Sequence, residues 1–469
     1  MKRLLYVFAI LAIFSSCSDD FEYVFDKTPT ERKAEANAKL NSLLTDSEFG
    51  WKTTMILNTD GSDDELPVVG DFFVFKFNKN EGANDGIVTV SSRNGSADSE
   101  YAIGQETGTT LRFTTPNEIL FWLINPTYDK PSGYGADMEY IFMKEEDGKL
   151  YFKGKALDSE LVLEKASEQD NDLSVVVESK ANFLESNNKN FFFLEITGGV
   201  ADASEETPLY IQIGNPPYAK YFEEDLKQLF YEFIYVVDGK RTRTDAATYV
   251  FTNEGIIFSD PLVIGQDTVS KLVYNETSDE WLIADEGVTG KILPADLPHV
   301  VIPGLVDLYI DNFFATELGV MLDPWGSCHG PWKDLLSDNM FNYDVPRLTR
   351  IRLVSKYVSP DTGEMLGTGI LIVGYEDTDF VFIPLDMEKL AENHIKFTRN
   401  GDIVGNIEGA IEKLATDESL NAIFDIVCDE AGWLISCDII PYDGSLYYDC
   451  MFYSVTNPAN QIEHMGKVD

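Results

Sequence analysis

The chain has 469 residues, of which 80 are acidic and 36 basic, so its formal net charge at pH 7 is −44. So negative a chain is excluded from binding nucleic acid or anionic lipid through electrostatic attraction. Hydrophobic residues at 44% and aromatic residues at 12% are typical of a folded protein, and the length favours two or three domains over a single core.

The first residues have the features of an export signal. After a basic start, residues 4–14 form an apolar run that is too short to cross a hydrocarbon core of roughly 30 Å as a helix. The run ends in Phe14-Ser15-Ser16-Cys17, which resembles a lipobox. We therefore predict a lipoprotein signal peptide over residues 1–17 and acyl chains on Cys17, which anchor a protein stably. An ordinary signal peptide with an incidental cysteine is the alternative.

The residues after the cysteine are polar and acidic. Residues 18–22 resemble the export signal that sends some lipoproteins to the outer face of the outer membrane, and residues 18–27 are predicted to form a tether. The expected location is therefore the outer membrane, with the chain lipid-anchored and facing the cell surface.

The first predicted domain spans residues 28–165. Thr28, Pro29 and Glu31 supply an N-cap, a proline in the first turn and a reciprocal glutamate, which predict a helix over about 28–45. From residue 69 onward, short β-prone runs alternate with turn residues such as Asp147-Gly148. This pattern predicts an antiparallel meander.

Two more domains are predicted, over residues 166–298 and 299–469. The second is β-rich after a helix and connector at 166–190, and one amphipathic helix is predicted from apolar residues at helical intervals, namely Phe222, Leu226, Leu229, Phe230, Phe233 and Ile234. The third mixes strands with helices near 386–393 and 407–414. The predicted fold class is mainly β, built of antiparallel meander, barrel-like or sandwich modules with accessory α-helices, and multi-domain α+β overall.

Four cysteines besides Cys17 lie in the last third of the chain: Cys328, Cys428, Cys437 and Cys450. An even number in an oxidising compartment permits two disulfides. One interpretation pairs Cys428 with Cys437 across a hairpin and leaves Cys328 for Cys450, and free buried thiols are the alternative. The spacing does not match a zinc site, so no metal site is predicted.

The sequence has no nucleophile elbow, zinc-protease helix, phosphate-binding loop or dinucleotide-binding glycine pattern, and only four histidines. One conspicuous segment places Cys328 and His329 between Trp325 and Trp332. We interpret it as a rigid loop tied by a disulfide, and an aromatic platform for a sugar ring is the alternative. Residues 60–65 are acidic but lack the ligand spacing of a calcium loop, so a solvated turn is preferred and calcium stays the one cofactor that the sequence permits.

Several short motifs resemble the family of bacterial surface lipoproteins known as domain of unknown function 4302. The matching residues are Phe25-Asp26-Lys27-Thr28-Pro29 with Glu31-Arg32, Gly50-Trp51-Lys52, Thr110-Leu111-Arg112-Phe113 with Pro116-Asn117, Gly135 with Asp137 and Glu139, and Lys153-Gly154-Lys155. The resemblance is best over residues 17–165 and weak after about 300. It implies a cell-surface location near an outer-membrane nutrient importer and supplies no reaction or catalytic residues.

These observations favour a surface-anchored protein that binds a nutrient, a glycan or a peptide, beside an outer-membrane import complex, without catalysis. Trp325 and Trp332 are its candidate ligand-binding residues. A hydrolase with a pair of carboxylates is one alternative, because 80 acidic residues offer many pairs whose separation only a structure reveals. A structural or adhesive surface protein is the other.

Overall fold

The computed structural model describes residues 27–57, 68–105, 108–126, 133–200, 203–216, 228–237, 240–307, 320–322, 328–329, 348–374, 378–407, 409, 411–412, 416, 418–442 and 445–467. Strands in three antiparallel sheets dominate these residues. The prediction of a mainly β, multi-domain chain with accessory helices is confirmed. Two compact units divide the chain, residues 1–62 with 69–176 and residues 63–68 with 177–469, and the predicted three-domain division stays a prediction.

The first sheet is a closed barrel of eight strands that follow one another in chain order. Strand β8 returns to β1, where Trp51 lies opposite Lys165. The predicted meander is therefore present, and it closes on itself, which removes the unpaired edges of an open sheet. Its strands are Trp51–Leu57, Val69–Lys79, Asp85–Ser92, Gly95–Gln105, Thr109–Phe113, Glu139–Glu146, Lys149–Gly154 and Glu160–Lys165, β1 to β8.

Helix α1, Pro29–Thr45, precedes this barrel and begins with the predicted capping box. The Glu31 backbone N–H donates to the Thr28 hydroxyl, and the Glu31 carboxylate accepts from the Thr28 backbone N–H at 2.8 Å. Near the other end of the helix, the Trp51 indole donates to the Leu44 carbonyl at 2.8 Å. The helix and the first strand are thus joined by a buried hydrogen bond. A short helix, α2, Phe121–Ile124, follows β5.

The interior of the first barrel is filled by side chains. Alternate residues of β1 are buried, as expected for a strand with one face turned inward. Phe77 meets Tyr101 edge to face at 5.1 Å between ring centroids, and Phe75 lies 6.0 Å from Phe113. An eight-stranded barrel is just wide enough for its own side chains or for one small ligand, and in this barrel these rings pack against one another in the interior.

The second sheet has nine strands, and a pairing between β10 and β11 closes eight of them into a ring in chain order. Strand β12 lies outside the ring and pairs with β11. The strands are Phe191–Gly198, Leu209–Gly214, Phe230–Val237, Lys240–Arg243, Ala247–Thr252, Gly255–Ile264, Asp267–Asn275, Glu280–Ile283 and Thr289–Ala295, β9 to β17. A 3-10 turn, Gln169–Asn171, and helix α3, Ser174–Ser186, precede them as predicted for 166–190. Phe183 of α3 packs against Tyr249 at 4.8 Å and Trp281 at 5.4 Å.

The predicted amphipathic helix of this region is wrong in its described part. Phe230–Val237 forms strand β11, and its residues from Phe230 to Ile234 are all buried. A strand buried on both faces is apolar at nearly every position, so a helical spacing of apolar residues arises there by coincidence. Phe222 and Leu226 lie outside the described residues.

The third sheet has ten strands. Eight of them, β18, β20 to β23 and β25 to β27, are neighbours in chain order, β19 pairs with β27, and β24 pairs with β22. The strands are Val320–Leu322, Cys328–His329, Leu348–Val358, Met365–Gly374, Phe380–Ala391, His394–Arg399, Val404–Gly405, Trp433–Tyr442, Ser445–Ser454 and Gln461–Lys467, β18 to β27. Helix α4, Glu418–Val427, places Phe424 and Val427 in the core of this sheet.

The helix predicted near 386–393 is also wrong, because β22 continues through this segment to Ala391. Its residues pair with β23, so that Asp386 lies opposite Thr398 and Lys389 opposite Ile395. The residues of this segment lie at the more exposed end of a long strand. Of the helix predicted near 407–414, residues 408, 410, 413 and 414 lie outside the described residues, and residues 411–412 are helical.

One disulfide joins Cys437 to Cys450, which lie directly opposite each other on β25 and β26. This corrects the predicted pairings of Cys428 with Cys437 and of Cys328 with Cys450. Cys428 is a free, half-buried thiol just after α4. The hairpin that brings two cysteines together is therefore β25–β26, because register sets which residues face each other.

Candidate functional site

Most of the residues that the sequence suggested for binding lie outside the described part of the chain. These are Cys17, Trp325, Trp332 and the acidic residues 60–65. Cys328 and His329 form the short strand β19, opposite Ile462 and Gln461. Their proposed roles therefore stay predictions.

Two of the matching family motifs build the end of the first barrel. The Asp137 carboxylate accepts hydrogen bonds from the backbone N–H groups of Ala156, at 2.8 Å, and Leu157, at 3.2 Å, and from the Ser159 hydroxyl, at 2.8 Å. A Cβ atom at Gly154 would collide with this carboxylate. Asp137 and Gly154 are thus fixed by the turn between β7 and β8.

The other motif residues with described contacts are structural as well. Gly50 has a φ of +84°, and a Cβ there would lie 2.5 Å from the Phe75 carbonyl oxygen, so only glycine fits. Lys52 forms an ion pair of 3.1 Å with the buried Asp170. Glu139 pairs with Arg112 at 2.7 Å and with Lys155 at 2.8 Å. The described contacts of these motif residues therefore stabilise the fold.

A stronger candidate for a ligand-binding site lies on the second sheet. Its core is the ring stack, which we define as Tyr210 and His299, whose rings lie 4.5 Å apart at 29° to each other. Both rings meet the buried ring of Phe193 at steep angles, His299 at 5.2 Å and Tyr210 at 6.1 Å. The ring stack itself is half-buried. Two rings of different chemistry are thus held face to face where solvent still reaches them.

The ring stack ends a longer aromatic row. Phe191 stacks on Phe193 at 5.7 Å, and Tyr453 of the third sheet meets Phe191 edge to face at 4.9 Å. Next to these rings, the Asn190 side chain donates to the Pro458 carbonyl at 3.2 Å. The row therefore gives the ring stack a rigid support that extends over two sheets.

The polar side of the site is set by strand register. Glu195 on β9 lies opposite Tyr210 on β10 and opposite Lys291 on β17. The Tyr210 hydroxyl donates to the Glu195 carboxylate at 3.2 Å, and the Lys291 ammonium lies 2.6 Å from the Glu280 carboxylate. The Glu195 carboxylate thus adjoins the ring stack, whereas the close ion pair of Lys291 is with Glu280.

Burial governs the protonation of both rings. It lowers the pKa of His299, against the opposing attraction of the Glu195 charge. Burial also raises the pKa of the Tyr210 hydroxyl, and the adjacent Glu195 carboxylate acts in the same direction. At neutral pH the site therefore offers two uncharged rings and one carboxylate acceptor.

Sequence reasoning missed this site. Glu195, Tyr210 and His299 lie far apart in the chain, and only the pairing of β9 with β10 and the path of the chain after β17 bring them together. The one usable signal is the rarity of histidine, since His299 is one of four. The His394 ring, by contrast, bonds the Ala431 carbonyl at 2.7 Å, a structural contact.

A pair of carboxylates marks a second, weaker candidate. Burial raises the pKa of Asp260, and the charge of Asp245 raises it further. The Asp260 backbone is fixed by the Tyr231 hydroxyl, which donates to its carbonyl at 2.7 Å. Two interacting acids of unequal environment are what acid–base chemistry requires.

Within the part of the chain that the structure describes, no three histidine, cysteine or acidic side chains come together as a metal-binding group. Among those same residues, no helix is both long enough and apolar enough to cross a membrane.

Comparison with known proteins gives one informative match. The family model described as Domain of unknown function (DUF4302) matches residues 22–276, more than half of the 469 residues. No curated protein matches the chain. Among solved structures, the beta chain of DNA polymerase III from Streptococcus pneumoniae TIGR4 aligns over 92% of this chain and 98% of its own, at 10% identity and a TM-score of 0.14.

Proposed function

The chain belongs to the family described as domain of unknown function (DUF4302), and on that premise we propose that it is a lipid-anchored surface protein that binds a nutrient, a glycan or a peptide, without transforming it. Binding takes place on the outside of the second sheet, at the ring stack of Tyr210 and His299. The partner that receives the nutrient is an outer-membrane importer.

The observation that carries this proposal is the contrast between the barrel interior and the ring stack. In the first barrel, rings such as Phe75, Phe77 and Tyr101 are buried and pack against one another, out of reach of solvent. The ring stack is half-buried, rigidly supported and next to a carboxylate. Apolar ring faces beside a few fixed polar groups are the usual lining of ligand sites.

The anchor part of the proposal depends on Cys17, which lies outside the described residues. Labelled fatty acid should be incorporated into the wild-type chain in growing cells and lost in Cys17→Ala. Protease added to intact cells should then degrade the wild-type chain if it faces outward. Incorporation that persists in Cys17→Ala would contradict the assigned attachment site.

Binding is tested with the mature chain in detergent. Its thermal unfolding is followed by intrinsic fluorescence in the presence of glycans, peptides or calcium, because a ligand that binds the native state raises the apparent stability. A ligand-specific rise that disappears in Tyr210→Ala supports the proposal. If no glycan or peptide moves the transition, nutrient binding is wrong and a role in contacting other proteins takes its place. A rise with calcium alone makes the acidic residues structural.

A hydrolase is the second candidate function, and the pair of Asp260 and Asp245 favours it. A general acid needs a raised pKa, and Asp260 has one. Release of new chain ends from any glycan or peptide by the wild-type chain, with loss of that activity in Asp260→Asn, would replace binding by catalysis. Unchanged substrates after long incubation would rule out the hydrolase on those substrates.

A further inference from the structure

We propose that the ring stack and Glu195 form a binding site for the cationic side chain of a basic peptide, an ammonium or a guanidinium group. The inference rests on the proposed binding function and names the class of ligand for the same site.

The geometry combines the two groups that recognise such a cation. A cation within about 6 Å of a ring centroid is attracted by the electron-rich face of the ring. In the ring stack the Tyr210 phenol supplies such a ring, and the His299 imidazole is stacked on it with 4.5 Å between ring centroids. Glu195 is placed by its hydrogen bond from the Tyr210 hydroxyl, so its carboxylate lies at the edge of these rings. A carboxylate and a cation form a charge-assisted hydrogen bond, about twice as strong as a neutral one.

The charged groups around His299 are consistent with a neutral imidazole that tolerates a cation. Facing it are Glu195 on β9, Tyr210 on β10 and, beyond Glu195, Lys291 on β17. Lys189, before β9, pairs with Asp296 at 2.9 Å. Burial lowers the pKa of His299, so the ring is uncharged at neutral pH and does not repel a second cation.

Lys291 lies opposite Glu195 and could compete with a cationic ligand for its carboxylate. Its ammonium lies 2.6 Å from Glu280, so its close ion pair is with Glu280. Glu195 instead has the Tyr210 hydroxyl as a neutral donor at 3.2 Å. A neutral donor leaves the negative charge of Glu195 in place, and a cationic ligand compensates that charge.

The charge of the whole chain favours the same class of ligand. With a net charge of −44, the protein repels anions and attracts cations. At low salt this attraction extends over tens of ångströms. A neutral sugar gains nothing from this field. The long-range field therefore concentrates basic peptides near the surface, and the ring stack with Glu195 provides the specific contact.

The test must separate specific binding from diffuse attraction. Fluorescently labelled tetralysine is titrated into the mature full-length chain in detergent at about 150 mM salt, where charges farther apart than about 8 Å are largely screened. Three further probes are tetralysine acetylated on every side chain, tetraglutamate and a neutral glucose oligomer. The variants are Glu195→Gln and Tyr210→Ala. The matched control is Asp279→Asn, because Asp279 accepts from the Tyr274 hydroxyl on the same sheet and its variant removes the same charge.

The expected result is a loss of tetralysine affinity of about tenfold or more in Glu195→Gln and Tyr210→Ala, as for one charge-assisted contact, with less than a twofold change in Asp279→Asn. Acetylated tetralysine and tetraglutamate should not bind. The melting temperatures of all variants are measured, and Tyr210→Phe, which keeps the ring, serves if Tyr210→Ala unfolds.

Equal losses in Asp279→Asn and Glu195→Gln would show diffuse attraction and overturn the inference. Binding of the neutral oligomer or of acetylated tetralysine that Tyr210→Ala abolishes would overturn the cationic assignment and leave nutrient binding intact. If Tyr210→Ala changes the binding of no probe, both the inference and the proposed location of the site are wrong.

Discussion

The hydroxyl of Ser159, directly before β8, donates a hydrogen bond of 2.8 Å to the buried carboxylate of Asp137, just before β6. Backbone N–H groups of Ala156 and Leu157 donate to the same carboxylate. Buried charge is tolerated where hydrogen bonds replace its hydration. Asp137, which the family resemblance singled out, thus stabilises the turn between β7 and β8.

We therefore expect Asp137→Asn to lower the free energy of unfolding by about 2–3 kcal/mol, because an amide cannot accept all the hydrogen bonds that the carboxylate accepts. Urea unfolding of the mature chain, followed by circular dichroism, measures the change. Asp158→Asn is the matched control in the same turn: Asp158 is 76% exposed and pairs with Lys153. Asp158→Asn should lower the free energy of unfolding by less than about 0.5 kcal/mol, as is usual for surface substitutions. Equal losses of unfolding free energy in Asp137→Asn and Asp158→Asn would show that Asp137 does not stabilise this turn.

A second prediction concerns the buried ion pair of Arg93 and Asp71 in the first barrel. Their side chains are only 4% and 1% exposed. Removal of one partner leaves the other charge buried, so Arg93→Ala should lower the free energy of unfolding by about 3–5 kcal/mol.

The control for this prediction is the exposed pair of Lys144 and Glu146, whose side chains are 53% and 55% exposed. Lys144→Ala should leave the free energy of unfolding nearly unchanged, since solvent screens an exposed pair. The double variant Arg93→Met with Asp71→Leu, measured beside the single variants, should recover part of the loss. A cost of Arg93→Ala no larger than that of Lys144→Ala would contradict the burial argument.

The sequence predicts those parts of the fold that local chemistry determines. Thr28 and Glu31 form the expected capping box. The Asp147-Gly148 turn forms with positive φ at both residues, as a two-residue hairpin requires. The alternation in β1 is that of a strand with one buried face. In each case the decisive interactions lie within a few residues.

The failures have a common physical cause, which is long-range pairing. Phe230 and Phe233 matched a helical spacing, but they lie on β11, which pairs with β10 and β13 and is buried from Phe230 to Ile234. Cys437 pairs with Cys450 because of the β25–β26 register. Glu195 and Tyr210 likewise meet only through register. A single sequence carries the spacing of residues along the chain and leaves open which strands become neighbours.

The cysteines provide a third prediction. Peptide mapping of the unreduced mature chain should recover a fragment that links Cys437 to Cys450. Cys428 should react slowly with alkylating reagents at pH 8, because burial raises the pKa of its thiol to about 11 and the thiolate is the reactive form. Unfolding in urea should restore the ordinary rate. A fragment that links Cys428 to Cys437 would contradict the pairing.

Loss of that disulfide should also cost stability. The two cysteines are 13 residues apart, and closure of a loop of about 15 residues is worth about 3 kcal/mol in the chain-entropy model. Cys450→Ala with Cys437→Ala should therefore lower the free energy of unfolding by about that amount, and Cys428→Ala, which leaves the disulfide intact, is the matched control.

The last prediction is a pH dependence that originates at His299. Burial lowers the pKa of this ring in the folded chain below its ordinary value of 6.5, whereas the unfolded chain keeps that value. As pH falls through 6.5, the unfolded state takes up a proton that the folded state does not, and stability is lost until the lower folded pKa is reached. The contribution is therefore complete above pH 6.5 and declines below it.

Urea unfolding between pH 8 and pH 5 should show this decline, and it should be shallower in His299→Gln, which has no titrating ring. Glu195→Gln should act in the opposite direction. Its carboxylate attracts the proton to His299, so without it the folded pKa falls further and the decline extends to lower pH. Because other acids titrate in the same range, the curves are compared as differences from the wild-type chain. Parallel curves for the wild-type chain and His299→Gln would show that the ring titrates alike in the folded and unfolded states, and would contradict the effect of burial on His299.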